Sequence, residues 1–154
     1  LFVCTGNICR SPMAEYLMRQ ALGRQRGWTV ASAGLHAGTG LPASPAAIQV
    51  LRRHGVDLRL HRSRMLTAAL VDASTLIVVM TRAHREQIQS LFPGAGDKVY
   101  LLKTFDPQAA DQDVNDPIGQ PARVYAETCA EIRAALTGLM RYLETFAPAG
   151  DHKS

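Results

Sequence analysis

Four consecutive apolar residues, Leu76-Ile77-Val78-Val79, constrain this chain more than any other feature. Successive side chains of a strand point to opposite faces, so an unbroken apolar run needs cover on both sides. A parallel sheet between two helical layers provides it, because each crossover lays a helix on one face or the other. Residues 74–80 are therefore predicted to form a central parallel strand. Upstream, Leu1-Phe2-Val3 is a β-favouring run that stops at Gly6-Asn7, and Ser11-Pro12 opens a helical pattern carrying Met13, Ala14, Leu17, Met18, Ala21 and Leu22. A second strand is predicted over 28–31, ended by Ala33-Gly34, then a Gly/Pro-rich connection and a helix over 46–54 with Gly55 as its stop. Downstream come a helix over 82–91, a fourth strand over 98–102, a polar loop over 103–119 and a long amphipathic helix over 123–146. This alternation implies an α/β fold with a parallel sheet and helices on both faces. One domain over 1–146, with a flexible tail over 147–154 and no internal repeat, is the expected organisation.

Composition narrows the function. Hydrophobic residues at 47% and charged residues at 19% suit a globular domain that builds its own core. The surplus of 17 Lys and Arg over 13 Asp and Glu is mostly dispersed arginine, and aromatics are only 6%. That favours anionic ligands weakly and excludes a nucleic-acid surface, which needs a basic stripe with interleaved aromatics. Three cysteines, two of them in the first nine residues, are not the framework of a secreted disulfide protein. Together with the absence of a signal-peptide pattern or a span-length apolar stretch, they predict a cytoplasmic protein without membrane insertion. The five histidines are dispersed, without His-x3-His or Cys-x2-Cys spacing, so no metal site is expected.

Chemistry concentrates in Cys4-Thr5-Gly6-Asn7-Ile8-Cys9-Arg10-Ser11-Pro12. Five residues separate a potential nucleophile from an arginine, and a hydroxyl residue follows, all between a strand and a helix start. Loops leaving the carboxyl ends of strands are where ligands bind in open α/β sheets. Five residues can curl so that their N–H groups point inward as an anion nest, with the helix dipole behind them. Arg10 would close the ring, its planar fork giving two charge-assisted bonds to phosphoryl oxygens. The same cationic surroundings favour a thiolate at Cys4. Gly6 and Asn7 are residue types that tolerate left-handed backbone, and Ser11 can donate to the thiolate. Cys-x5-Arg alone is a weak signal; its hydroxyl, its Gly-Asn interior and its strand-to-helix setting make it specific.

A phosphocysteine route also needs an acid for the leaving oxygen and later a base for water. The polar loop offers Asp106-Pro107 and Asp116-Pro117. Proline biases the preceding residue towards extended backbone, so either aspartate can project. Asp116 is modestly ahead because it lies nearer the long helix and Gly119.

With Val3–Glu15, Ser32-Ala33-Gly34, Gly55-Val56-Asp57-Leu58, His61-Arg62-Ser63-Arg64, Met80-Thr81, Asp116-Pro117-Ile118-Gly119 and Val124-Tyr125, the chain resembles bacterial low-molecular-weight protein tyrosine phosphatases, the first of these stretches being highly specific for the family. The resemblance runs from residue 1 to about 145. It implies a flavodoxin-like three-layer fold with a four-stranded parallel sheet, Cys4 as nucleophile, Arg10 as phosphate clamp and Asp116, not Asp106, as acid and then base. It implies phosphate binding by Thr5, Gly6, Asn7, Ile8, Cys9, Arg10 and Ser11, and a bracing network of Asn7, Ser11, Ser32 and His61. No cofactor or metal is implied. The expected partner is a phosphotyrosine-containing protein, a bacterial tyrosine kinase among the candidates, acted on by a monomer.

Two departures bear on the substrate: members often place aromatics after the Asp-Pro pair and after Ser-Ala-Gly, where this chain has Ile118 and Leu35-His36-Ala37-Gly38. Cys9 is the cysteine that in the family can form a reversible disulfide with the nucleophile, whereas Cys129 reads as core filling. Tyr125 reads as helix packing or a phosphorylation site, and His36 as a pocket-mouth or exposed loop residue. Three other functions compete. Thiol-dependent arsenate reductases share the loop, but relay electrons to cysteines after the central strand, and residues 81–100 contain none. Protein arginine phosphatases carry Thr where Ile8 stands, which leans this chain towards phosphotyrosine. A non-catalytic phosphate-binding module would not need Cys4, Arg10 and Asp116 together.

Overall fold

The computed structural model describes residues 1–24 and 27–146; the tail expected over 147–154 lies outside the described residues. The elements are β1 (Phe2–Cys4), α1 (Arg10–Leu22), β2 (Ser32–Gly34), α2 (Pro45–Arg52), α3 (Ala68–Ala73), β3 (Ile77–Val79), α4 (Arg82–Leu91), β4 (Val99–Leu101) and α5 (Ala122–Glu144). All strand pairs are parallel, in the order β2-β1-β3-β4. This is the flavodoxin-like arrangement, and the fold class read from the sequence holds.

The apolar run is buried on both faces as expected. Leu76, Val78 and Met80 join Phe2 and Cys4 in a core shared with α1, α2 and α5, while Ile77 and Val79 join Val3, Ala33 and Leu101 in a second core with Val71 of α3 and Ile88 of α4. Period-two alternation thus splits one strand between two hydrophobic layers. Because α5 crosses the turn of 3-10 helix at Leu102–Phe105 closely, a Cβ at Gly138 would collide with Phe105 O.

The second strand is a correction. Residues 28–31 form no strand; the pairing falls on Ser32–Gly34, with Phe2 opposite Ser32 and Cys4 opposite Gly34. The three residues of β1 set which part of the neighbour finds partners, and that register overrides local β propensity. Trp28 instead packs edge-on against Phe146, ring centroids 6.0 Å apart. Ala33 and Gly34, read as terminators, are the strand itself, and Gly34 is needed there because a Cβ would lie 2.6 Å from Thr5 O. The short α3 had no counterpart in the prediction, and the polar loop opens with the Leu102–Phe105 turn.

The chain passes from β1 outward to β2, then returns to β3 on the other side of β1. The loop after β1 therefore opens at the topological switch point, where crossovers diverge and leave a crevice.

Candidate active site

Residues 5–9 link β1 directly to α1, and α1 begins with no side-chain cap at Cys9 and no acidic residue in its first turn. Its leading N–H groups and positive dipole end thus remain available to an anion. Leu35 N donates to Cys4 O at 3.0 Å and His36 N to Thr5 O at 2.9 Å, so the residues after β2 brace the ring from outside.

Asn7 organises the ring from within. Its φ is 54°, making it the non-glycine residue at positive φ among the described residues; Gly6, the other expected left-handed position, does not take that conformation. Asn7 Nδ2 donates to Ser11 Oγ and to Ser32 Oγ, both at 2.9 Å, and Asn7 Oδ1 accepts from Arg64 N at 3.0 Å. The Asn7 carbonyl lies 2.7 Å from His61 Nε2, and since a carbonyl only accepts, that nitrogen carries the hydrogen. Burial lowers the His61 pKa, consistent with a neutral Nε2–H imidazole. Ser11, Ser32 and His61, the other members of the expected bracing network, are thus each bonded to Asn7.

The direction of these bonds matters. Ser11 Oγ accepts from Asn7, so its own hydrogen is free for Cys4 Sγ, 2.9 Å away. Ser32 Oγ likewise accepts from Asn7 and donates to Glu15 Oε1 at 2.6 Å, and Glu15 pairs with Arg19 at 2.7 Å. A chain of polar contacts runs from Cys4 to the surface, and at its start a donor is aimed at sulfur.

Arg10 is 3% exposed. Its Nη1 donates to Val114 O at 2.9 Å, which leaves the Nε/Nη2 edge as the open fork: Nη2 is 3.5 Å from both Thr5 Oγ1 and Asp116 Oδ2, and Nε is buried without a partner among the described residues. Two parallel N–H groups on one edge match two oxygens of a phosphoryl group. Asp116 is 43% exposed at its side chain and accepts from Ile118 N at 3.1 Å, with Gly119 turning the chain at φ 73°. Asp106 instead accepts from Gln108 N at the end of its own turn. The ring's neighbour is Asp116.

Cys9 Sγ is directed at Ser44 Oγ (3.3 Å) and Tyr125 OH (3.4 Å), and burial raises its pKa. Tyr125 is 3% exposed, with its hydroxyl pushed up to about 12 chiefly by burial, so it is a ring-supporting residue rather than an accessible phosphorylation site. Cys129 is fully buried in the core as expected. His36 Nε2 meets Gln87 Nε2 at 2.7 Å. No group of three or more His, Cys, Asp or Glu among the described residues could hold a metal ion.

Sequence reasoning missed Glu15, Val114, Ser44 and His84. Glu15 had a usable signal, since Ser11, Glu15 and Arg19 recur every four residues on one helix face. Val114 acts through its carbonyl, and His84 reaches Thr5 from 79 residues away, so neither left a local pattern.

Comparison with known proteins bears on the same residues. A family model described as "Low molecular weight phosphotyrosine protein phosphatase" matches residues 1–147. The probable low molecular weight protein-tyrosine-phosphatase EpsP of Ralstonia solanacearum is 40% identical over 133 residues, spanning 86% of this chain and 87% of that protein. Among solved structures, the YwlE arginine phosphatase from Geobacillus stearothermophilus superposes with a TM-score of 0.88 at 37% identity, covering 98% of this chain and 97% of that one. A YwlE mutant with a phosphorylated active site serine gives 0.87 at 35% identity and 95% of both chains.

Proposed function

Since the chain belongs to the low-molecular-weight phosphotyrosine protein phosphatase family and is a phosphoric monoester hydrolase, we propose that it hydrolyses phosphotyrosine in proteins through a phosphocysteine on Cys4. The observation that carries this reading is the meeting of a Ser11-bonded Cys4 sulfur, the open Arg10 fork and the Asp116 carboxyl at one ring. Cys4 Sγ attacks phosphorus, an S–P bond forms and the P–O bond to the tyrosine breaks as Asp116 gives its proton to the leaving oxygen. Asp116, now a carboxylate, takes a proton from water; the water oxygen attacks phosphorus, the S–P bond breaks, and inorganic phosphate and the Cys4 thiolate result. Arg10 and the ring N–H groups stabilise the negative oxygens throughout. The phosphorylated active site serine of the YwlE mutant supports covalent transfer in this setting.

Ile118, 48% exposed beside Asp116, gives the mouth an aliphatic rather than aromatic flank. The substrate is then held chiefly by its phosphate, with ring contact secondary. A phosphotyrosine-bearing protein, a bacterial tyrosine kinase among the candidates, is the proposed partner of a single-domain cytoplasmic monomer. Oxidation is proposed to join Cys4 to Cys9, after Cys9 swings away from Ser44 and Tyr125. Phosphoarginine is the second candidate substrate, because a YwlE arginine phosphatase superposes over nearly the whole chain.

Assaying phosphotyrosine, phosphoarginine and arsenate side by side tests the assignment. Turnover highest on phosphotyrosine is expected; faster phosphoarginine turnover would reassign the substrate while leaving the ring chemistry in place.

A further inference from the structure

Two buried side-chain nitrogens have no hydrogen-bond partner among the described residues, Arg10 Nε and His84 Nδ1. The first belongs to the phosphate clamp. The second points to a role that the phosphatase chemistry does not by itself require.

His84 stands in the first turn of α4, 5% exposed, with its backbone N–H donating to Thr81 Oγ1 at 3.1 Å. Its Nε2 lies 2.9 Å from Thr5 Oγ1. A hydrogen on the buried, partnerless Nδ1 would be an orphaned donor, which folded proteins rarely tolerate. That argues against both the imidazolium, which carries hydrogens on both nitrogens, and the Nδ1–H tautomer. The remaining form carries its hydrogen on Nε2 and donates it to Thr5. The electrostatics agree: burial first and Arg10 second push the His84 pKa down to about 4, with His36 adding to them and Asp116 and Asp113 opposing.

Thr5 Oγ1 therefore accepts from His84 Nε2, and Arg10 Nη2 stands 3.5 Å away as a second donor. Having accepted from His84, the hydroxyl sends its own hydrogen in another direction. Ser11 is treated the same way by Asn7, and its hydrogen serves the nucleophile. Thr5 is solvent-exposed, follows Cys4 directly, and adjoins the open edge of the Arg10 fork. We propose that His84 fixes the Thr5 hydroxyl as a hydrogen-bond donor to the phosphoryl group held by Arg10, making His84 a positioning residue that acts through Thr5. This rests on the reading of the Cys4–Arg10 ring as a phosphate site.

The test is a double-mutant cycle on Thr5→Val and His84→Ala, with His84→Gln as the conservative variant, read by calorimetric titration of inorganic phosphate and by KM and kcat on an aryl phosphate. Each single change should weaken phosphate by about tenfold, as loss of one hydrogen bond to an anion does. The double variant should be no weaker than the worse single, because both remove the same donor. His84→Gln keeps an N–H donor at that place and should stay within about threefold of the unsubstituted protein. Multiplying losses in the double variant, a glutamine variant as weak as the alanine one, or unchanged phosphate affinity in Thr5→Val would each overturn the proposal. If His84→Ala does not fold, Thr5→Val and His84→Gln decide alone. Turnover by the unsubstituted enzyme, and its loss in Cys4→Ser, reports separately on the phosphatase reading, while the phosphate titration reads Thr5 and His84 whether or not turnover is seen.

Discussion

Arg10 Nη1 donates to the carbonyl of Val114 at 2.9 Å, joining residues 104 positions apart. The bond ties the proposed phosphate clamp to the loop that carries Asp116, and Val114 N in turn donates to Met80 O, just past β3, at 2.8 Å. Arg10 is thereby tied to the position of the Asp116 loop, so losing the Arg10 side of this contact should also displace Asp116.

Arg10→Lys keeps the charge but removes both the fork and the Val114 bond. It is expected to cut kcat/KM by about 10²–10³-fold, since a point charge reproduces neither the bidentate geometry nor the loop tie. Steady-state kinetics on an aryl phosphate check this; a loss below about fivefold would mean that charge alone suffices.

Asp116→Ala should lower phosphotyrosine turnover by about 10²–10⁴-fold and flatten the basic limb of the pH profile. The loss should shrink on an activated aryl phosphate, whose leaving oxygen scarcely needs a proton, and phosphate affinity should change little. Asp106→Ala should behave like the unsubstituted protein. The reverse pattern would reassign the acid without touching the nucleophile.

Asn7→Ala leaves Ser11, Ser32 and Arg64 N short of a partner and puts alanine at φ 54°. A destabilisation of about 3–5 kcal/mol is expected in denaturant unfolding, from unsatisfied buried groups plus left-handed strain. Asn7→Gly, which relieves only the strain, should recover about 1 kcal/mol of it.

How much of this could be read in advance follows from where the information lies. Cys4, Arg10 and the loop between them are one contiguous segment, so residue type and spacing alone could single them out as the proposed nucleophile, clamp and ring. The Leu76–Val79 run announced a two-sided core because alternation is a local property of a strand. Trp28 misled for the opposite reason: its partners are chosen by the register of β1, which no window around residue 28 contains. Asp116 and Asp106 share the same Asp-Pro chemistry, which gave only a lean until the family resemblance chose between them, and of the two it is Asp116 that lies 3.5 Å from Arg10. His84 and Val114 act across the fold, one through a ring nitrogen and one through a carbonyl, and left no mark in the chain around them.

Stability should fall as pH drops from neutral towards 4. His84 has its pKa pushed from 6.5 to about 4 and that of His61 is also lowered, both first by burial. Between the two values the unfolded chain binds more protons, so their contribution is complete above about 6.5 and lost as pH falls through the folded pKa. His84 alone contributes about 2–3 kcal/mol of that slope. Thermal unfolding across this range should show a shallower decline in His84→Gln; an identical decline would place the titration elsewhere.

Peroxide should inactivate the enzyme, and thiol reductant should restore the unsubstituted protein more fully than Cys9→Ala, because a Cys4–Cys9 disulfide shields the nucleophile from higher oxidation. Equal recovery would assign Cys9 to its bonds with Ser44 and Tyr125 alone.

The central claim is that Cys4 carries the phosphoryl group. Rapid acid quench of Asp116→Ala during turnover of an activated aryl phosphate, followed by peptide mass spectrometry, tests it most directly, because removing the proposed base slows hydrolysis of the intermediate. One phosphoryl group on Cys4, absent when Cys4→Ala is added, is the predicted result. Phosphate on another residue, or quenched protein free of phosphate while substrate is being consumed, would contradict it.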